Sequence, residues 1–372
     1  MKNNTLRDYF PMLKTREEVM SIIKGNSKLK STFCSWNENA QTEFLDFCTG
    51  QRGIKVLYDS FFKEVFNPEY APERLNALLS VILGTEVRII QVLPLDSTRM
   101  GDETSLVTMD IVVELSDRSI VNIEMQKIGY YFPGQRSVCY SSDLILRQYK
   151  RIRESTKNFS YDMIKPVYTI VFFEQSPAVF KDFPDNYVHF FEQKSNTGIN
   201  MELLQKYIFI PLDIFNKVGH NKCSILDAWL TFLSSDSPED ILYLIENFPE
   251  FKPMYETLFS LCENIEGVMN MFSEELYELD KNTAMFMVDD LTEKNAMLAE
   301  EVSQLTNENS QLTNENSQLS NENSQLSNEI SQLSNEISQL SNENSQLKVD
   351  VAEKDSEISR LQNIIKELQS IQ

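Results

Sequence analysis

Asp110 sits in the apolar run from Leu106 to Val113, and Glu124 sits in the run from Ile120 to Lys127. Each is a carboxylate inside a segment rich in Val and Ile. An unpaired buried carboxylate is costly, so each needs a partner or a metal. Ser116 to Ser119 separates two strand-like segments, 106–115 and 120–127, and reads as a tight hairpin turn. Adjacent antiparallel strands can bring two carboxylates together, where they repel unless a cation or a proton lies between them. Mg2+, which takes hard oxygen ligands and keeps several waters, suits that arrangement. Gln126 lies two residues past Glu124 and shares its face of the strand. A plainer alternative fits the same alternation: Asn122, Glu124 and Gln126 as the wet face of an antiparallel hairpin.

The elements around this hairpin can be read from period and punctuation. Thr15 to Ile23 reads as a short helix with Glu17 and Glu18 in its first turn. Lys55 to Phe66 is amphipathic and stops before Pro68, and Pro72 to Leu83 has Pro at its start and Gly84 after its end. The segment 86–95 reads as a strand, as do 166–173, 187–191 and 207–211, while 135–154 reads as a helix. From 222 to about 290 the pattern is helical. Alternating helices and strands predict an α/β fold with its sheet within 86–211.

From Ser303 a seven-residue unit repeats, SQLTNEN then SQLSNEN and SQLSNEI, with leucine in heptad phase from Leu291 to Leu347 and again at Leu361 and Leu368. A strict period of 3.5 predicts a left-handed coiled coil. Leu at d with Asn, Ile or Val at a favours two parallel strands.

Composition sets limits. The chain has 372 residues, with 34 Lys and Arg against 56 Asp and Glu, a formal net charge of -22. That excludes a wholly basic nucleic-acid coat protein and general electrostatic attachment to anionic lipid. Between Glu124 and Lys165, however, eight basic residues face four acidic ones, the local stripe that phosphate contacts require. Five scattered cysteines without a CxxC predict reduced, buried thiols, and with only two histidines and neither GxSxG nor HExxH a histidine triad or zinc protease is not expected. The first ten residues lack an apolar core and no run of about 18 uncharged apolar residues follows. The expectation is a soluble, intracellular chain with no membrane partner.

These residues together resemble the PD-(D/E)XK nuclease superfamily, and within it the bacterial recombination-promoting nuclease/transposase family (Rpn type). Gly53 to Phe66, with Asp59 and Lys63, is similar to that family's first core helix, and Asn76 to Leu83 to its second. Thr108-Met109-Asp110 takes the place of the first metal-binding strand, and Ile123-Glu124-Met125-Gln126 is similar to the family's Ile-Glu-x-Gln. Gln135 to Tyr149, with Arg136, Tyr140 and Gln148, resembles the helix that follows, and Lys165 to Phe172 the next strand. The likeness spans roughly residues 44–290.

The resemblance implies a restriction-endonuclease-like PD-(D/E)XK core, a mixed sheet flanked by helices, continued by a helical extension and a C-terminal parallel dimeric coiled coil. The expected parts are a helical lead-in over 1–52, the core over 53–221, a helical region over 222–290 and the coiled coil over 291–372. It implies a Mg2+-dependent DNA endonuclease, with Mn2+ able to substitute, in which Asp110, Glu124 and the backbone carbonyl of Met125 hold the metal. Gln126 stands where the superfamily usually carries lysine; an amide orients water but supplies neither positive charge nor a base. Strand alternation sends the neighbouring Lys127 to the other face. Asp59 would act behind the metal ligands, and Arg136, Tyr140, Arg147, Gln148, Lys150 and Arg151 would face DNA phosphates. A homodimer through 291–372, in a bacterial cytoplasm and close to the nucleoid, completes the expectation. Two rivals are a catalytically weak or inactive DNA-binding protein on a nuclease fold and an interaction protein built around the coiled coil.

Overall fold

The computed structural model describes residues 5–93, 111–127, 133–218 and 224–369. The segment 106–110 of the first expected hairpin strand lies outside them, as does Asp110 itself. The chain divides into two compact units, Met1–Leu291 and Thr292–Gln372.

The first unit begins with α1 (Leu6–Tyr9), α2 (Arg16–Gly25), α3 (Ser27–Ser35) and α4 (Glu38–Thr49). Thr15 and Glu18 form a reciprocal capping box that starts α2. α4 ends at Gly50, whose φ of 68° favours glycine and where a Cβ would come 2.5 Å from Leu13 Cδ1. α5 (Asp59–Val65) is shorter than the amphipathic pattern predicts, because the chain first turns at 56–57. α6 (Pro72–Leu83) has its expected bounds, with Pro72 in the first turn and Gly84 in the left-handed region.

Six strands follow: β1 (Ile89–Val92), β2 (Ile111–Leu115), β3 (Ile120–Gln126), β4 (Val167–Phe173), β5 (His189–Phe191) and β6 (Gln205–Pro211). They form one mixed sheet in the order β1-β2-β3-β4-β6-β5. β1, β2 and β3 pair antiparallel; β3, β4 and β6 run parallel; β5 closes the edge antiparallel to β6. The β2–β3 turn holds Arg118 at φ 71°, and Asp117 Oδ1 accepts from the Ser119 N–H at 3.0 Å and its hydroxyl at 2.6 Å. The parallel β3–β4 pair needs a crossover, which α7 (Pro133–Ser155) supplies.

The remaining helices are α8 (Ala178–Lys181), α9 (Leu212–Phe215), α10 (Ile225–Ser234), α11 (Pro238–Asn247), α12 (Lys252–Ser260) and α13 (Ile265–Gln369). On one face of the sheet, Val113, Val121, Ile123, Ile170 and Phe172 join a single large core with Phe10, Phe47, Phe66, Trp229 and Phe259. The N-terminal helices, the sheet and the helices after residue 224 therefore share one interior. On the other face, Val112, Ile120 and Val167 pack under Tyr140 and Leu144 of α7. Helices thus cover both faces of the sheet. Of the described cysteines, all free, Cys48 and Cys262 are buried as expected, whereas Cys34 and Cys139 are exposed. Among the described residues no helix is long and apolar enough to cross a membrane.

In the second unit the repeat is helical. Its heptad leucines, Leu305 to Leu347, are each more than half exposed in the single chain. Serine, a weak helix former, here bonds the carbonyl four residues back, as in Ser310 to Thr306 and Ser324 to Ser320, both at 2.9 Å.

Candidate active site

β3 carries Ile120, Asn122, Glu124 and Gln126 on the face beneath α7. That face is not wet. Asn122 is fully buried, and Glu124 and Gln126 are 3% and 5% exposed. Asn122 donates from Nδ2 to Glu124 Oε1 at 2.9 Å. Among the described residues, both amide atoms of Gln126, Asn122 Oδ1, Ser137 Oγ on α7 and Thr169 Oγ1 on β4 have no hydrogen-bond partner. Thr169 lies beside Asn122 in the β3–β4 register. A buried polar group left without a partner costs about 1–3 kcal/mol, so this polar seam suits water, an ion or a ligand. Its donor set of carboxylate and amide oxygens suits a hard divalent cation. Among the described residues, no group of three or more His, Cys, Asp or Glu could hold a metal.

Met125 points the other way and packs on the large core. Lys127 does too, as alternation predicts. It forms an ion pair with Glu275 of α13, both side chains less than a tenth exposed, and lies 4.6 Å from the centre of the Tyr58 ring. Glu275 Oε1 also accepts the Ser60 N–H at 2.8 Å, capping α5 one residue past Asp59. Glu275 therefore ties the end of β3 to the start of α5. Burial pushes the Tyr58 phenol well up, and the carboxylates of Glu43, Glu174 and Glu275 push it further. Asp59 opens α5.

On α7, Arg136 Nε donates to the Tyr140 hydroxyl at 2.6 Å, and Tyr140 is buried in the small core. Gln148 is 2% exposed and its amide is engaged by the Lys165 backbone, donating to its carbonyl at 3.2 Å and accepting its N–H. It clips α7 to the chain just before β4 rather than facing a phosphate. Arg147 pairs with Asp143 at 2.7 Å. Arg151 pairs at 2.6 Å with Glu114, a buried β2 carboxylate that Arg118 also holds at 3.0 Å. Lys150, Arg147, Arg151, Glu154 and Ser155 line a groove of about 430 Å3. The role of Glu275 carries no local sequence signal. A carboxylate buried in an apolar strand, as Glu114 is, hints that a cation approaches it, but not which one.

A family model described as PD-(D/E)XK nuclease family transposase matches residues 56–287. The chain belongs to that family. The matched span takes in α5, the whole sheet, α7 and Glu275, while the N-terminal helices and the heptad repeat fall outside it. No curated protein and no solved structure matches the chain. In this PD-(D/E)XK family member, Glu124 and Gln126 occupy a buried, α7-covered strand, and the lysine next in sequence is held away on the opposite face.

Proposed function

We propose that the chain is a divalent-metal-dependent DNA endonuclease, and the observation that carries this reading is the buried Glu124–Gln126 pair with its unsatisfied amide. The described β2–β3 ladder ends at Ile111↔Ile123. Asp110, next before Ile111 in the sequence, is the second carboxylate that the resemblance implies. Mg2+, or Mn2+ in its stead, held by Asp110, Glu124 and the Met125 carbonyl, would supply a Lewis acid that acidifies water and neutralises charge on the phosphate. Asn122 fixes the Glu124 carboxylate through its N–H. Gln126, neutral at all ordinary pH, orients the attacking water through its amide and takes no proton. Asp59, behind the metal ligands, helps set the site at the start of α5. Arg136, held by the buried Tyr140 hydroxyl, and the groove of Arg147, Lys150 and Arg151 meet the phosphate backbone in the proposed complex.

The exposed leucine stripe of the second unit supports a parallel dimer through 291–372. Two copies offer two sites, one for each DNA strand. The absence of lysine at position 126 favours a second reading, a DNA-binding protein with little or no cleavage. Calorimetric titration with Mn2+ tests the proposal. Wild type should bind with an affinity that Asp110→Ala weakens at least ten-fold; equal binding by both would rule out Asp110 as a ligand.

A further inference from the structure

The C-terminal end of α7 and the loop after it carry three aromatic rings that belong to none of the hydrophobic cores. Among the described residues they contact one another: Tyr149 and Phe159 lie 5.3 Å apart, Phe159 and Tyr161 5.1 Å, and Tyr149 and Tyr161 6.3 Å with ring planes 13° apart. Tyr161 is 73% exposed. Arg153 sits over both Tyr149 and Phe159, at 5.7 and 5.9 Å from their centres, and donates to the Tyr149 hydroxyl at 2.8 Å. Core packing does not account for a nearly free tyrosine presented by an aromatic and guanidinium bracket.

Its electrostatic setting narrows the ligand. Residues 147–165 hold six basic and two acidic side chains; with Arg147 and Arg151 paired to Asp143 and Glu114, Lys150, Arg153, Lys157 and Lys165 remain against Glu154 and Asp162, in a chain whose net charge is -22. Positive charge beside the exposed Tyr161 ring is complementary to a polyanion whose units carry flat faces. In duplex DNA those faces are stacked on one another; in a single strand they are open to an aromatic side chain.

We infer that Tyr161, backed by Tyr149, Phe159 and Arg153, is a stacking platform for unpaired bases of a single-stranded DNA segment next to the cleavage site. The inference rests on the endonuclease reading and adds the class of substrate. Val167 pairs with Ile120 in the sheet, four residues before Glu124, and Lys165 lies two residues before Val167. At about 3.3 Å per strand residue Lys165, which follows Tyr161 by four residues, lies roughly 20 Å from Glu124 along the strands. The substrate would then be DNA with a frayed, gapped or overhanging strand, gripped away from the scissile phosphate.

The experiment is fluorescence anisotropy in EDTA, with the full chain and two labelled probes: an oligothymidylate of about 20 nucleotides and a blunt duplex of similar length. Tyr161→Ala should weaken oligothymidylate binding about ten-fold and duplex binding less than two-fold, while Tyr161→Phe, which keeps a ring, should bind like wild type. Because Tyr161 is exposed, all three proteins should share one circular dichroism spectrum. An unchanged oligothymidylate affinity, equal losses on both probes, or wild type that binds the duplex alone would overturn the platform. The last result would leave the endonuclease reading standing. Conversely, a Tyr161 effect on binding in a protein that cleaves nothing with Mg2+ would retain the platform and sink the endonuclease.

Discussion

Asn122 donates to Glu124 across 2.9 Å on the buried face of β3, so the carboxylate meets the sheet interior with one oxygen already fixed. Removing that donor should loosen the ligand as well as the fold. Asn122→Ala is expected to lose about 1–2 kcal/mol of stability in EDTA and to bind Mn2+ several-fold more weakly. Urea unfolding with and without metal measures both effects.

The Lys127–Glu275 pair is almost fully buried. Taking away one member of such a pair strands the other, at a cost of about 3–5 kcal/mol. Lys127→Met should therefore be severely destabilised. Adding Glu275→Gln should recover much of the loss, because glutamine has no charge to strand and still offers an acceptor to the Ser60 N–H. A double-mutant cycle by urea unfolding reads the coupling, and simple addition of the two losses would contradict it.

Tyr58 and Tyr255 define an alkaline limit. Burial raises both phenols above their ordinary range, with carboxylates adding to the effect at Tyr58 and Asp240 at Tyr255. Below pH about 10 neither the folded nor the unfolded chain ionises them. Above it the unfolded chain loses these protons first, so stability falls by about 1.4 kcal/mol per pH unit for each tyrosine. Tyr58→Phe and Tyr255→Phe should each flatten that decline between pH 10 and 11, as followed by urea midpoints.

The leucine stripe predicts association through the heptads. The full chain should sediment as a dimer, and a chain ending at Leu291 as a monomer. Replacing Asn309, Asn316 and Asn323 with isoleucine should raise the thermal stability of the assembly and mix its oligomeric states, because buried asparagine at a positions gives up stability for two-strand specificity. Analytical ultracentrifugation separates these results.

Local signals in the sequence carried much of the framework. Pro72 and Gly84 bracket α6 because each acts on its own backbone. Period-two alternation put Glu124 with Gln126 and sent Lys127 the other way. What alternation cannot tell is which face is covered: the lid over Asn122 is α7, an element further along the chain. Long-range partners were equally silent. Glu275 lies 148 residues from Lys127, and nothing near either residue announces the other. The basic stripe on α7 was visible as charge, yet the engagement of Arg147 with Asp143 and of Arg151 with Glu114 depends on the fold. Tyr161 carries no sequence signal of its own, because its exposure is set by the fold.

Cleavage of supercoiled plasmid by wild type and by Glu124→Gln, each with Mg2+ and with EDTA, tests the central claim most directly. The account predicts nicked or linear product from wild type with Mg2+ alone, and at least a hundred-fold slower reaction from Glu124→Gln at undiminished duplex binding. Equal, metal-independent activity of both proteins, or no cleavage by either while both bind DNA, would contradict it.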